Sequence, residues 1–194
     1  QEGLQPLKKA VQLKPDHIKA IYLLGKFNTL LKNYKEAIFL LEQVNKYETG
    51  FKKTDFFLGQ CLLKTNRYKE ALPYLQKAVL ANPNLSQAQY FFGQNLIKVG
   101  RFKEAIKPLK VATESKPDFS KAFNYLGETY QRLGNNSKAV NQYRAAIKKF
   151  PDFQRAHMNL GIILIQLGQH SEARIELVRT LELGGEDGSI YGLI

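Results

Sequence analysis

The chain has 194 residues, of which 44% are hydrophobic, and it carries a formal charge of +12 from 29 basic and 17 acidic side chains. It contains no run of about 18 apolar residues, so the sequence predicts no transmembrane segment. Its single cysteine, Cys61, excludes an internal disulfide, and together with three scattered histidines it predicts no metal site.

A period of 34 residues organises the chain. Glycine recurs at this interval, and an alanine follows each glycine after 12 residues. The pairs are Gly25 with Ala37, Gly59 with Ala71, Gly93 with Ala105, Gly127 with Ala139, and Gly161 with Ala173. A fixed period of this length is typical of a stacked helical array with one continuous core. The period therefore predicts a binding surface rather than a catalyst.

Seven segments follow from this period. Residues 1–17 match the second helix of a repeat whose first helix is missing, so we expect a fragment of a longer protein. Five full repeats, numbered 1 to 5 below, occupy residues 18–51, 52–85, 86–119, 120–153 and 154–187. Residues 188–194 begin a further, truncated helix.

Each repeat reads as two helices separated by a short turn, because apolar residues recur at helical spacing in both halves. Glycine marks three of the turns, at Gly100, Gly134 and Gly168. Prolines at 83, 117 and 151 end second helices, because proline lacks the amide hydrogen. Thr49 and Gly50 replace the proline after repeat 1, so we expect a differently turned junction there. Pro73 and Pro108 lie early in second helices and predict slight kinks rather than breaks.

This pattern resembles the tetratricopeptide-repeat (TPR) family over nearly the whole chain. The resemblance implies an all-α fold, an α-α superhelix of antiparallel helix pairs in which the alanine of each repeat faces the glycine. The family's usual tryptophan near the start of each repeat is missing, and the residues there are Ile21, Asp55, Gln89, Phe123 and His157. We expect weaker local packing in repeats 2 and 3, and a packing role for His157.

The resemblance also implies a groove for a partner, lined by the first helices at positions 2, 5, 9, 12 and 13 of each repeat. These positions form one stripe along a helix. The predicted groove residues are Lys19, Tyr22, Lys26, Lys53, Phe56, Gln60, Lys64, Gln87, Tyr90, Gln94, Lys98, Lys121, Asn124, Glu128, Arg132, Arg155 and Met158. Basic and aromatic side chains alternate there, so we expect a protein or peptide partner that is acidic and partly apolar. The alternative is that the aromatic rings pack against neighbouring first helices.

Other functions are weighed against this one. The sequence has no glycine-rich phosphate loop or serine elbow, so we predict no catalytic residue and no cofactor. Nucleic acid is a disfavoured partner, because 22 lysines outnumber 7 arginines and lysine makes no bidentate base contacts. Neither the carboxylate clamp nor the asparagine ladder of similar repeat arrays is present, since only Asn159 occupies the ladder position.

Two alternatives stay open at this point. The chain is a homo-oligomer if the repeat ends or the convex face stack on another copy. It is a targeting module of a larger enzyme if a catalytic domain lies elsewhere in a parent protein. The partner and the compartment stay unassigned, with the cytoplasm favoured over other compartments.

Overall fold

The computed structural model describes residues 4–184 as an all-α fold. Eleven helices and no strand occur among these residues. The helices are α1 (Gln5–Leu13), α2 (Ile18–Leu30), α3 (Tyr34–Tyr47), α4 (Thr54–Lys64), α5 (Tyr68–Ala81), α6 (Ser86–Lys98), α7 (Phe102–Ser115), α8 (Ser120–Arg132), α9 (Asn136–Lys149), α10 (Gln154–Gln166) and α11 (His170–Glu182). The helix expected within residues 1–17 is α1, whereas the helix expected to begin at residue 188 lies outside the described residues.

The described residues divide into two compact bodies, an N-terminal body up to Pro83 and a C-terminal body from Asn84 onward. The period predicts one continuous core, and the division falls instead at the proline that follows α5. In the N-terminal body α2 packs on α3 and α4 on α5, while α1 lies against α2. In the C-terminal body the pairs are α6 with α7, α8 with α9, and α10 with α11.

The repeated glycine lets the two helices of a pair approach closely. A Cβ atom built on Gly93 would lie 2.5 Å from Cγ of Leu109, and one built on Gly127 would lie 2.6 Å from the Tyr143 ring. The other three glycines meet the equivalent residues, Leu41, Leu75 and Leu177, in the same way. The side chain facing each glycine is therefore the one four residues after the repeated alanine, not the alanine itself. The alanines are buried beside this contact.

The turns between paired helices need a left-handed backbone at one residue. Gly100, Gly134 and Gly168 adopt it with φ of 80°, 75° and 74°, as predicted. Lys32 and Asn66 take the same position in repeats 1 and 2 with φ of 64° and 62°. The junction after repeat 1 is differently turned, as expected: Gly50 has φ 78° and Lys52 has φ 50°. Pro73 and Pro108 lie inside α5 and α7, which continue past them.

Polar residues at the missing tryptophan position are held by hydrogen bonds. Asn45 on α3 donates from Nδ2 to Oδ1 of Asp55 at 3.2 Å. His157 is buried, and its Nε2 donates to the carbonyl oxygen of Pro151 at 2.7 Å. Its Nδ1 lies 2.6 Å from Oε2 of Glu176. The ring thus joins α10 to α11 through Glu176 and to the preceding junction through Pro151, which is the packing role expected from the sequence.

Cys61 is a buried packing residue in α4. Its Sγ lies 3.1 Å from Oγ1 of Thr29, in the neighbouring first helix. Burial raises the pKa of the thiol to about 11, so it stays protonated and unreactive at neutral pH.

The close approach at the glycine predicts the effect of adding one methyl group. We expect Gly93→Ala to destabilise the protein by about 1–3 kcal/mol through overpacking against Leu109. An unhindered helix glycine would instead gain up to about 1 kcal/mol from helix propensity. The sign of the change in urea denaturation therefore tests the contact.

The matched control is Leu109→Ala, which removes the facing side chain and costs about 2–5 kcal/mol alone. In the double variant the added methyl group has room, so the combined loss should be smaller than the sum of the two single losses. Additive losses would contradict direct contact between these residues.

Candidate functional site

The predicted groove residues separate by burial. The outer positions, 2 and 13, carry exposed side chains: Lys19, Lys53, Lys64, Gln87, Lys98, Lys121, Arg132 and Arg155. The inner positions, 5 and 9, carry buried or half-buried side chains: Tyr22, Lys26, Phe56, Gln60, Tyr90, Gln94, Asn124, Glu128 and Met158. The aromatic rings therefore lie beneath a polar rim rather than projecting from the surface.

In the N-terminal body, aromatic rings pack between neighbouring first helices. The Tyr22 ring meets Phe51 edge-on at 5.5 Å between centroids and Phe57 at 6.2 Å. Phe56 and Phe57 lie 5.1 Å apart, also edge-to-face. Burial raises the pKa of Tyr22, and a hydrogen bond with the backbone of Lys53 offsets part of that rise. These rings follow the alternative that the sequence left open, in which they pack against their neighbours.

Lysines surround these rings. The Nζ atom of Lys52 lies 5.6 Å from the centroid of Tyr22 and 5.3 Å from that of Phe51, within cation–π range. Lys19 and Lys26 flank Tyr22 on the same face of α2, and Lys53 precedes α4. We call the set Lys19, Tyr22, Lys26, Phe51, Lys52 and Lys53 the basic ring surface.

The charge of the basic ring surface is uncompensated. Between residues 4 and 184, no carboxylate forms an ion pair with any of its four lysines. Helix α2 contains no acidic residue, and the one acid of α4, Asp55, is bound by Asn45. An uncompensated positive surface attracts anionic groups.

In the C-terminal body, polar side chains connect the first helices. Gln94 on α6 donates from Nε2 to the hydroxyl oxygen of Tyr125 on α8 at 2.6 Å. Arg155 on α10 stacks on the Tyr125 ring at 5.1 Å from its centroid. Asn159 on α10 donates to Oδ1 of Asn124 at 3.0 Å. We call Gln94, Asn124, Tyr125, Glu128, Arg155 and Asn159 the tyrosine network.

Two amide atoms of the tyrosine network have unused hydrogen-bonding capacity. Oε1 of Gln94 and Nδ2 of Asn124 are buried and have no hydrogen-bond partner. A buried polar atom left in this state is costly, so such groups are rare in native proteins. Because both atoms are fully buried, they lie beneath the surface that a partner contacts.

The N-terminal body has a further surface, which involves helices α1 and α3. An open cavity of about 730 Å³ runs between α1 and α3, with Leu24 and Asn28 of α2 among its lining residues. Phe39 and Tyr47 of α3 line it and are 55% and 52% exposed. We call this cavity the outer groove.

Several of these residues escaped the sequence prediction. Phe51 and Lys52 lie in the irregular junction after repeat 1, so no repeat position assigned them to the groove. Tyr125 lies at position 6 of repeat 4, outside the positions assigned to the groove. The one available signal was the junction itself, which replaces proline with Thr49 and Gly50 and adds consecutive lysines.

The described residues contain neither a cluster of metal ligands nor a membrane-spanning helix. Over residues 4–184, His, Cys, Asp and Glu side chains form no group of three or more able to hold a metal ion. Over the same range, no helix combines the length and the hydropathy needed to cross a bilayer.

Comparison with known families matches two parts of the chain. A family model described as anaphase-promoting complex, cyclosome, subunit 3 matches residues 31–112. A model described as tetratricopeptide repeat matches residues 126–187. No curated protein sequence is significantly similar to the chain.

Solved structures share the fold at low identity. YrrB, described as a TPR protein with an unusual peptide-binding site, has a TM-score of 0.79 and 17% identity, covering 97% of each chain. MamA 41-end from Desulfovibrio magneticus RS-1 has a TM-score of 0.77 and 20% identity, over 88% of this chain and 97% of that one. A thermophilic TPR protein of Thermus thermophilus has a TM-score of 0.68 and 19% identity, over 90% and 95%. At these identities the likeness shows the fold alone.

The burial of the aromatic rings predicts a stability effect. Tyr90 is buried against Phe91, Phe119 and Tyr125, with ring centroids between 4.7 and 5.6 Å away. We expect Tyr90→Ala to lower the free energy of unfolding by about 3–5 kcal/mol, the usual cost of deleting a buried ring. Tyr90→Phe keeps the ring and should cost less than about 1.5 kcal/mol. Urea denaturation of both variants measures this, and unchanged stability in Tyr90→Ala would contradict the packing role.

Proposed function

Because the chain is a tetratricopeptide-repeat protein, we propose that it is a non-catalytic scaffold that binds an acidic, partly apolar segment of a partner protein. We place the binding site on the basic ring surface of the N-terminal body. Carboxylates of the partner pair with the lysines of this surface, and an apolar side chain of the partner contacts the edges of its aromatic rings.

The observation that carries this proposal is the set of unpaired lysines around Tyr22 and Phe51. Lysines elsewhere on a protein surface are ordinary, but here four of them share one face with aromatic rings and no acidic partner. Complementary charge increases the rate of encounter, and the half-buried Phe51 ring provides short-range contact area. An acidic segment with an occasional apolar residue matches both features.

Two further observations support a peptide rather than a nucleic acid. The structurally similar YrrB is described as having a peptide-binding site. Lysine, which dominates the basic ring surface, is a flexible point charge without the planar, rigid fork that suits arginine to nucleic-acid recognition.

The test reverses three lysines of the basic ring surface. The probe is a short fluorescein-labelled peptide of aspartate, alanine and leucine, and fluorescence anisotropy measures its affinity. We expect the triple variant Lys19→Glu, Lys26→Glu, Lys53→Glu to bind it about 10-fold to 100-fold more weakly, because opposite charges become like charges. Affinity of the wild-type protein should fall as salt is added.

The control is a triple variant with the same charge change at another place. Lys35, Lys69 and Lys103 are exposed near the turns before second helices. Reversing all three to glutamate should leave peptide affinity within about 3-fold of wild type at moderate salt, because screening weakens distant charges. Equal losses in both triple variants would sink the proposed site. Binding of a single-stranded RNA with a steep salt slope, without peptide binding, would favour nucleic acid instead.

The outer groove favours a second candidate function, self-association. Phe39 and Tyr47 expose more than half of their surface beside the cavity between α1 and α3. Large apolar side chains grouped at a groove are typical of protein interfaces. The occupant we infer for this candidate is a second copy of the chain.

Light scattering over a concentration series measures this candidate. We expect Phe39→Asp to shift the oligomer towards monomer, because a carboxylate is costly in an apolar contact. The matched control is Leu80→Asp, at an exposed leucine of α5 outside the groove, which should leave the oligomeric state unchanged. A monomeric wild-type protein across the series would contradict self-association.

A further inference from the structure

The tyrosine network contains an internal ion pair that the basic ring surface lacks. Nη2 of Arg155 donates to Oε2 of Glu128 at 3.1 Å, and Nη1 reaches the Tyr125 hydroxyl oxygen at 3.4 Å. The Arg155 side chain is 45% exposed, whereas the Glu128 side chain is 17% exposed. The arginine is thus within reach of a partner, and the carboxylate behind it is largely shielded.

Glu128 differs in charge type from the residues at the same position of the other repeats. Position 9 holds Lys26, Gln60, Gln94 and Ile162 in the other repeats. Glu128 is the one acidic residue among the 17 predicted groove residues. Helix pairing does not require an acid there, since lysine, glutamine and isoleucine serve in equivalent helices.

We propose that Glu128 is a specificity-determining residue: its carboxylate occupies Arg155 and keeps acidic segments off the first helices α8 and α10. Acidic segments are thereby left to the basic ring surface. This inference rests on the proposed function, because it concerns which of two surfaces receives the acidic segment.

Repulsion between Glu128 and a partner carboxylate is the physical reason for this exclusion. A partner carboxylate that pairs with Arg155 must displace Glu128 or approach it closely. Two carboxylates beside one guanidinium repel each other, and a largely shielded Glu128 loses its main counter-charge. Without Glu128, the planar guanidinium of Arg155 stays stacked on Tyr125 and offers its donors to an incoming carboxylate.

The experiment begins from the triple variant Lys19→Glu, Lys26→Glu, Lys53→Glu, and the probe is the same aspartate, alanine and leucine peptide. We expect added Glu128→Gln to raise peptide affinity by about 10-fold to 100-fold, the range that one charge-assisted hydrogen bond provides. Adding Arg155→Gln as well should remove this gain.

The matched control is Glu104→Gln, which makes the same change of charge at an exposed glutamate paired with Arg101. Equal gains from Glu104→Gln and Glu128→Gln would overturn the inference, because net charge alone would then explain them. No gain in peptide affinity from Glu128→Gln would also overturn the inference about Glu128. In that case a loss of affinity on reversing the lysines would still support the proposed function.

Unchanged peptide binding after the lysine reversals would contradict the proposed function. A second measurement then tests the role of Glu128 separately. Isothermal titration of Glu128→Gln in the otherwise wild-type protein should show one more bound peptide than the wild type binds. Equal stoichiometry in the two proteins would overturn the role of Glu128. Urea denaturation accompanies each variant, and we expect little change because partly exposed ion pairs contribute little stability.

Discussion

The close contact between a glycine of each first helix and a large side chain of its partner is the constraint on which the structure depends. At Gly25, Gly59, Gly93, Gly127 and Gly161 there is no room for a methyl group, because a leucine or tyrosine fills that space. The contact brings two helices together at one height in every repeat. It therefore fixes the same face of each first helix against its partner, which leaves positions 2, 5, 9 and 13 at equivalent places in each helix pair. The sites described above depend on this register, although none of the glycines takes part in them.

Once the register is set, burial and charge divide the predicted groove into different surfaces. The rings at position 5 are buried among their neighbours, so they support the surface and do not project as separate anchors. The basic ring surface keeps its lysines unpaired, whereas the tyrosine network neutralises Arg155 with Glu128. The two surfaces share repeat positions 2, 5 and 9 and thus present different chemistry at equivalent places. This difference is the reason for assigning an acidic partner segment to one of them.

The fold was largely predictable because spacing alone encodes it. Glycine at a fixed interval, a turn residue 7 positions after it, and proline at the junctions together predict helix pairs, as at Gly93 and Gly100. Burial was harder to predict, because Tyr22 and Tyr90 occupy helix faces whose exposure depends on the neighbouring helix. The ion pair of Arg155 with Glu128 joins residues 27 positions apart, and neither its distance nor its shielding follows from the repeat. Lys52 was missed because it lies in a junction with its own backbone geometry.

The hydrogen bonds at the missing tryptophan position also affect how the repeat order can change. Asp55 depends on Asn45 in the preceding repeat, and His157 depends on Pro151 before it and Glu176 in its own repeat. A tryptophan packs against almost any apolar neighbour, so repeats that carry it are interchangeable. Repeats joined by directional polar pairs have fixed neighbours, since moving one leaves a buried group unsatisfied. In this chain, duplication or shuffling of repeats by recombination carries a penalty at the junction between repeats 1 and 2, so these two repeats are expected to be inherited as a pair.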